Sequence, residues 1–485
     1  MATLNMAFPN NPIIIHENLL VSPQSSTHLS LPLTFLDLFW LRFHPVERIF
    51  FYSLPNHSHS HDPSFFFNNI VPNLKTSLSL TLQHFLPLAG NIIWPSHLPK
   101  PIIQYNPGDA VSFVVAESNV DFNHVLQNSP CDASESRFFM PNLDSSDSSA
   151  SVISVQVTLF PKSGFSIGIT AHHAVLDGKS STMFIKAWAN MCRSSVEETP
   201  SFSLNPELKP FLDRDVIKDP TQLGLIFADN WTKDPNDATK KKRSLEILSF
   251  VFKPKVENSV RATFKIRFKD SDKLKKRVLS KWNEVENDDE VVNYSDSKPD
   301  TLSSFVVTCA YVSTCIARAI QEDEKNKQKK FAFAFAVDCR SRLEPKVPEN
   351  YFGNCVNLHA VDAKPEDFTK EDGFVIVAKK IVSKTKNLDR DGVLEGMDKL
   401  SSKHESRVRL GVELIGVAGS SRFGVYENDF GWGKPSKVEI TSLDRSLSIG
   451  ISESKDEKGG LEVGLVLKKN VMDIFSNLFH QGLKC

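Results

Sequence analysis

The chain lacks an excess of either charge. Its 57 lysines and arginines face 58 aspartates and glutamates, for a formal net charge of −1. Such a balance excludes a global electrostatic grip on nucleic acid or an anionic membrane and leaves room only for a local basic patch. The chain also lacks any CxxC pair. Its seven cysteines, at 131, 192, 309, 315, 339, 355 and 485, are scattered and odd in number. That pattern reads as free buried thiols in a reducing compartment. No stretch approaches the ~20 apolar residues that a membrane helix needs. The opening MATLNMAFPNNPIIIHENLL has no basic n-region and no long apolar run, so no secretory leader is read there. No segment repeats at a fixed period. The expectation is a cytosolic enzyme or binding protein that takes up neither nucleic acid nor membrane.

What is present sets the scale. The 485 residues exceed one ordinary core, since cores stop growing near ~250–300 residues, so two domains are expected. Hydrophobic residues at 40% and charged residues at 24% are an ordinary globular balance, whereas 35 phenylalanines imply large apolar cores and enough rings to line a pocket. The stretch ERIFFYSL reads as a buried strand, and the histidine-bearing PNHSHSHDPS after it as a loop tip rather than a metal site. Leu74, Leu78, Leu82 and Phe85 recur at helical spacing. VISVQVTLF and FSIGITA flank PKSG as a hairpin, and Met183, Phe184, Ala187, Trp188 and Met191 share a helical face. The polar, proline-bearing 206–245 reads as a crossover between a domain at 1–205 and a second at 246–485. In the second half, LSSFVVTCAYVSTCIARAI reads as a helix and FAFAFAVD as a central strand.

The stretch GITAHHAVLDGKSS, 168–181, invites three chemistries. A metal site fails because adjacent strand side chains point to opposite faces, so His172 and His173 cannot grip one ion, and no HExxH or cysteine cluster completes a shell. A phosphate loop fails because the glycine it needs five residues before Gly178-Lys179 is histidine here. A general base survives. A histidine at a strand end can project into a cleft, and its ordinary pKa suits proton abstraction. Asp177 and Gly178 form the bend before the next helix. A second motif, DFGWGKP at 429–435, sets two glycines around a tryptophan in a tight loop; read alone, it is a structural turn pinned by Trp432. The kinase reading of DFG fails for want of HRD and VAIK.

Both motifs in this order, His173-xxx-Asp177-Gly178 and then Asp429-Phe430-Gly431-Trp432-Gly433, resemble the plant BAHD acyltransferases. LPLTFLDLFWLRFHPVERIFFYSLP, LSLTLQHFLPLAGNI, VTCAYV and VDCRSRLEP are also similar to family segments, and NYFGNC resembles its malonyltransferase branch. The resemblance implies a two-domain α/β fold, each domain a mixed β-sheet with flanking helices, working as a monomer with a solvent channel between the domains. It implies no bound cofactor. An acyl-CoA, malonyl-CoA in this branch, is the co-substrate, and a sugar hydroxyl of a phenolic or flavonoid glucoside is the acceptor. His173 would be the base of a ternary-complex reaction with no acyl-enzyme, in keeping with the absence of a GxSxG elbow. Asp177, with Arg340 as candidate partner, and Asp429 would be structural members of the catalytic motifs. Trp432 N–H is a candidate oxyanion donor.

The polyanionic coenzyme would meet Arg261, Lys265 and Arg267, or Lys273, Lys275, Lys276 and Arg277. By resemblance it would also meet Ser303, Ser304, Arg340 and Ser341. A malonyl carboxylate would need a cation inside the channel; Lys179, Arg42 and His44 are the candidates. A hydroxycinnamoyl or other acyl-CoA is the alternative donor, and a non-catalytic binding protein of the same fold a remoter reading. Two features depart from the family pattern: a longer, more acidic connection at 283–300, and a lysine directly after the Asp-Gly bend.

Overall fold

The computed structural model describes residues 12–54, 62–196, 204–233, 241–248, 257–284, 298–323 and 329–484. The histidines at 57, 59 and 61, most of the acidic 283–300 connection and Cys485 lie outside them. Two large sheets carry the structure. The first runs Ile13–Val21, Val111–Ser118, Ile153–Phe160, Gly164–Ala171, Val46–Ser53, Lys437–Ile440. The second runs Val356–Asp362, Lys330–Asp338, Val412–Gly419, Ser448–Glu453, Leu461–Lys468, Ser259–Ile266, Cys131–Asp132. A smaller sheet joins Leu29–Pro32, Ile102–Tyr105, Asn91–Ile93 and Ser149–Ser151.

Each large sheet takes its outermost strand from the far half of the chain. Lys437–Ile440 pairs antiparallel with Val46–Ser53, and Cys131–Asp132 with Ser259–Ile266. The sheets are mixed. Val111–Ser118 runs parallel to Ile153–Phe160, and Val412–Gly419 runs parallel to both Lys330–Asp338 and Ser448–Glu453.

Hydrophobic pattern explains the elements. Leu74, Leu78, Leu82 and Phe85 are all 0% exposed. The first three line one face of the helix Val71–Leu82, which packs against the helix Gly178–Val196. Trp188 sits at that contact, fully buried, and its Nε1 donates to the Leu74 carbonyl (3.2 Å) and to Ser77 Oγ (3.1 Å). Burying so large a ring stabilises by ~3 kcal/mol, provided its N–H is satisfied. The hairpin Ile153–Phe160/Gly164–Ala171 forms in the expected register, with every residue of both strands buried. FAFAFAVD is an interior strand, and the six described cysteines are free.

The expectation that no stretch could cross a membrane is corrected. The helix Ser304–Asp323 is long and apolar enough to span one, with mean hydropathy 1.2 over its most apolar stretch. That stretch is 72% buried, because the helix packs against Gly373–Asp391 and Lys469–Lys484. The same apolar composition serves a core that is covered on most sides.

Candidate active site

The site begins where a buried strand runs out. Pairing along Gly164–Ala171 continues for one more residue, as His172 N–H donates to the Val152 carbonyl at 2.8 Å. Strand alternation then sends His172 to one face and His173 to the other. His172 is 1% exposed, and its Nδ1 accepts the Ala174 N–H at 3.2 Å, so it is a structural group. The two histidines therefore do not converge, and no group of three or more metal-ligating side chains occurs among the described residues.

Asp177 ends the loop and caps the next helix. Its Oδ1 accepts the Ser180 N–H at 2.8 Å, three residues on, as an N-cap does. Its Oδ2 accepts the Cys355 N–H (3.0 Å) and faces Arg340 Nη1 at 2.9 Å. Gly178 is needed because a Cβ there would meet the Phe423 ring at 2.8 Å. The loop is clamped from across the chain as well. Asn354 Nδ2 donates to the His173 carbonyl (2.8 Å) and to Asp37 Oδ1 (3.1 Å). Asp37 in turn lies 3.5 Å from the buried Arg214, whose Nη1 donates to Tyr351 Oη at 2.7 Å.

The His173 imidazole lies flat on Trp40, ring centroids 4.1 Å apart and planes 3° from parallel. Phe39 and Phe43 pack edge-on around Trp40, and Trp231 stands against Phe43. Burial is the main cause that pulls His173 down to about 4; its own backbone carbonyl, Asp177 and Asn354 pull upward without cancelling it, and His44 adds to the lowering. The ring is therefore neutral at neutral pH and able to accept a proton. Its Nδ1 is enclosed by protein. Burial alone would raise Asp177, but the Arg340 guanidinium holds its carboxyl below the usual range. Asp177 is thus an anchored anion and not a proton donor.

The second motif lies elsewhere. Asp429 Oδ1 accepts the N–H of Gly431 (2.8 Å) and of Gly433 (3.0 Å), closing the loop on itself. Phe430 is wholly buried against Trp188 and Tyr52. Trp432 packs edge-on against Phe165 at 6.0 Å. Phe165 begins the strand that ends before His173, and at ~3.3 Å per residue the two are separated by most of the strand's length. The expectation that Trp432 supplies an oxyanion donor is therefore corrected. Asp429 likewise holds backbone and stands apart from the base.

The residues expected beside the coenzyme scatter. Arg340 is 0% exposed, with Nη1 and Nη2 engaged by Asp177, Asp338, Ser180 Oγ and the Tyr351 carbonyl, so it holds the loop and offers nothing to a ligand. Ser303 Oγ accepts the Val306 N–H and caps the helix that Ser304 begins, while Ser341 is exposed on the turn after Lys330–Asp338. Lys276 pairs with Asp272 on the surface, Lys265 with Asp456 and Arg267 with Asp270. Arg277 lies over the Phe374 ring. Arg261 is buried, donating to the Ile440 and Thr441 carbonyls, and is corrected from coenzyme contact to strand support.

The sequence reading missed Asn354, Asp37, Arg214 and Trp40. Asn354 and Tyr351 stand inside NYFGNC, and Asp37 and Trp40 inside LPLTFLDLFW, but nothing in their spacing joins them to His173. Arg214 stands in the segment read as a crossover, which instead delivers a buried cation and the helix Leu223–Thr232.

A neutral histidine at a strand end, its loop held by a buried Asp–Arg pair, is an arrangement able to take a proton from a hydroxyl. The chain belongs to the Transferase family, the BAHD acyltransferases: the family model matches residues 13–481. It is 41% identical to phenolic glucoside malonyltransferase 1 of Arabidopsis thaliana, covering 95% of both chains. It is also 41% identical to the malonyl-CoA:anthocyanidin 5-O-glucoside-6''-O-malonyltransferase of the same plant, covering 98% of this chain and 99% of that one. Agmatine coumaroyltransferase, again from Arabidopsis thaliana, is 36% identical over 96% of this chain and 97% of its own. Among solved structures, vinorine synthase shares the fold at a TM-score of 0.63 with 20% identity, covering 95% of this chain and 96% of that chain.

Proposed function

We propose that this chain transfers the malonyl group of malonyl-CoA to a sugar hydroxyl of a phenolic or flavonoid glucoside, with His173 as general base. One observation carries the reading. The His173 ring is neutral, fixed on Trp40 and bound through its backbone to Asn354, with Nδ1 enclosed, so Nε2 is the nitrogen assigned to the substrate. Nε2 takes the proton of the acceptor hydroxyl as its oxygen attacks the thioester carbonyl. The tetrahedral intermediate collapses, the carbon–sulfur bond breaks, and the thiolate of coenzyme A leaves with the proton from His173. A thioester is already activated, so positioning plus one base suffices. The base itself is worth ~10²–10⁴-fold. The malonyl donor and glucoside acceptor follow the names of the relatives at 41% identity. The working unit is a cytosolic monomer whose substrates meet between the halves 1–205 and 246–485.

A hydroxycinnamoyl donor is the second reading, favoured by the aromatic wall of Phe39, Trp40 and Phe43 beside His173 and by the likeness to a coumaroyltransferase. The test is acyl transfer by purified protein from malonyl-, acetyl- and coumaroyl-CoA to a panel of phenolic glucosides, beside His173→Ala. Malonylated glucoside from the wild type and almost none from the variant supports the proposal. Turnover with coumaroyl-CoA alone replaces the donor, and an equally active variant removes the base.

A further inference from the structure

Arg48 is a buried cation with no ion pair among the described residues. It is 5% exposed, and its one hydrogen bond among the described residues is to a neutral hydroxyl, Thr182 Oγ1, at 3.4 Å. The carboxylate that acts on it, Glu453, does so through space and not as an ion pair. Burial pulls the guanidinium down to about 10. A charge enclosed in this way is costly unless something pairs with it.

Arg48 lines a small cavity of about 40 Å3 between the two large sheets. The other charged groups there are already answered. Arg261 holds the Ile440 and Thr441 carbonyls, Glu439 pairs with Lys437 at 2.6 Å, and Glu462 accepts Tyr426 Oη at 2.5 Å. The cavity also shares a face with the base. Arg48 pairs with Ile169 and Val46 with Ala171, and strand alternation carries His173 to that same face. Thr182 Oγ1, the partner of Arg48, donates to the Gly178 carbonyl at 2.7 Å, so the guanidinium is tied to the first turn of the helix that follows the His173 loop.

The geometry points to Arg48 as the group that takes the free carboxylate of a dicarboxylic acyl donor. The inference rests on the malonyl reading above. Malonyl-CoA carries its carboxylate one methylene from the thioester carbonyl, and that carbonyl must approach the acceptor oxygen at His173. The carboxylate is then confined to one methylene from the reacting carbonyl, and Arg48 is the cation on the same sheet face, paired with Ile169 four residues along the strand from His173. A guanidinium fork matches a carboxylate bidentately, which suits the role better than a point charge. The cations expected from the sequence each have a partner of their own, although Arg42 commits only its Nε. Lys179 pairs with Glu349 and Asp338, Arg42 Nε donates to the Glu246 carbonyl, and His44 Nδ1 lies against the Pro45 carbonyl.

Arg48→Gln and Arg48→Lys are assayed with malonyl-CoA and with acetyl-CoA, which differ only in that carboxylate, beside Arg42→Gln and with thermal midpoints recorded. The expected result for Arg48→Gln is a fall in kcat/KM of about 100-fold for malonyl-CoA and under about threefold for acetyl-CoA. Arg48→Lys should restore part of the malonyl rate, and should Arg48→Gln fail to fold, the lysine variant carries the test with a selective loss of about tenfold. Equal losses for both donors overturn the inference and make Arg48 a structural counterion to Glu453. A malonyl-selective loss in Arg42→Gln with Arg48→Gln unaffected also overturns it. A wild type that uses other donors and not malonyl-CoA overturns the malonyl reading itself, a failure visible before any variant is compared.

Discussion

Asp177 and Asp429 each close a glycine-bearing turn, and the contrast between their partners separates the two motifs. Asp177 reaches across the chain. Its carboxylate takes the N–H groups of Ser180 and Cys355 and sits 2.9 Å from a fully buried arginine. Asp429 reaches only along its own loop, to Gly431 and Gly433. The first aspartate fixes where a reactive side chain stands relative to a second segment of chain. The second fixes the shape of one turn. A loop that positions chemistry needs long-range anchors, because local hydrogen bonds set backbone shape but not its place in the cavity.

The contrast breaks first at His173. His173→Ala should lower kcat by ~10²–10⁴-fold with an unchanged thermal midpoint, since the ring is partly open and its loop is held through the backbone. Steady-state kinetics beside calorimetry read both quantities. A rate within twofold of wild type would move the base elsewhere and leave the 173–178 loop as architecture.

Asp177→Asn should follow in size. It leaves the Arg340 guanidinium in the interior with only Asp338, at 3.1 Å on the more exposed side, to balance it. Breaking one partner out of a buried pair costs ~3–5 kcal/mol. Asp429→Asn removes charge from two N–H contacts without orphaning a cation, so ~1 kcal/mol is expected. Urea unfolding of the two variants side by side measures the gap. Equal losses would erase the distinction between a long-range and a local anchor.

Some of these anchors were legible in the sequence and some could not be. Periodicity found the strand and helix that bracket His173, because each buries a face whose spacing shows in one dimension. The pairing of Asp177 with Arg340 was named through resemblance, and its geometry holds. Asn354 and Asp37 escaped, since their partners lie 181 and 317 residues away. Trp432 misled for a related reason: motif proximity in a family pattern carries no distance along the strand, and its ring packs on Phe165. The basic cluster at 261–277 looked like a phosphate footprint, yet Arg261, Lys265, Arg267 and Lys276 already have partners that only the fold supplies.

A pH titration sharpens the comparison next. In the unfolded chain imidazoles titrate near ~6.5. In the fold, burial pulls His172 to about 3 and His173 to about 4. Between ~6.5 and those values the unfolded chain binds more protons, so stability is highest above ~6.5 and falls as pH falls, by roughly 1.4 kcal/mol per unit for each group. His172→Gln should flatten that slope, as denaturant midpoints from pH 7 to 4.5 would show. An unchanged slope would place the acid sensitivity in other groups and remove the burial argument for His172.

The smallest expected effect tests the local loop alone. Gly433 has φ +98°, and a Cβ added there would meet nothing within 4 Å, so Gly433→Ala brings backbone strain and no clash. Strain of that kind costs ~1–2 kcal/mol. The Asp429 loop should then loosen while the His173 loop, anchored from Arg340 and Asn354, keeps its geometry, and kcat should stay within about twofold even as the unfolding midpoint drops. A fall in kcat in proportion to stability would mean that the two loops are coupled, through Phe430 on Trp188 and the helix that begins at Gly178, and that the second motif reaches the base after all.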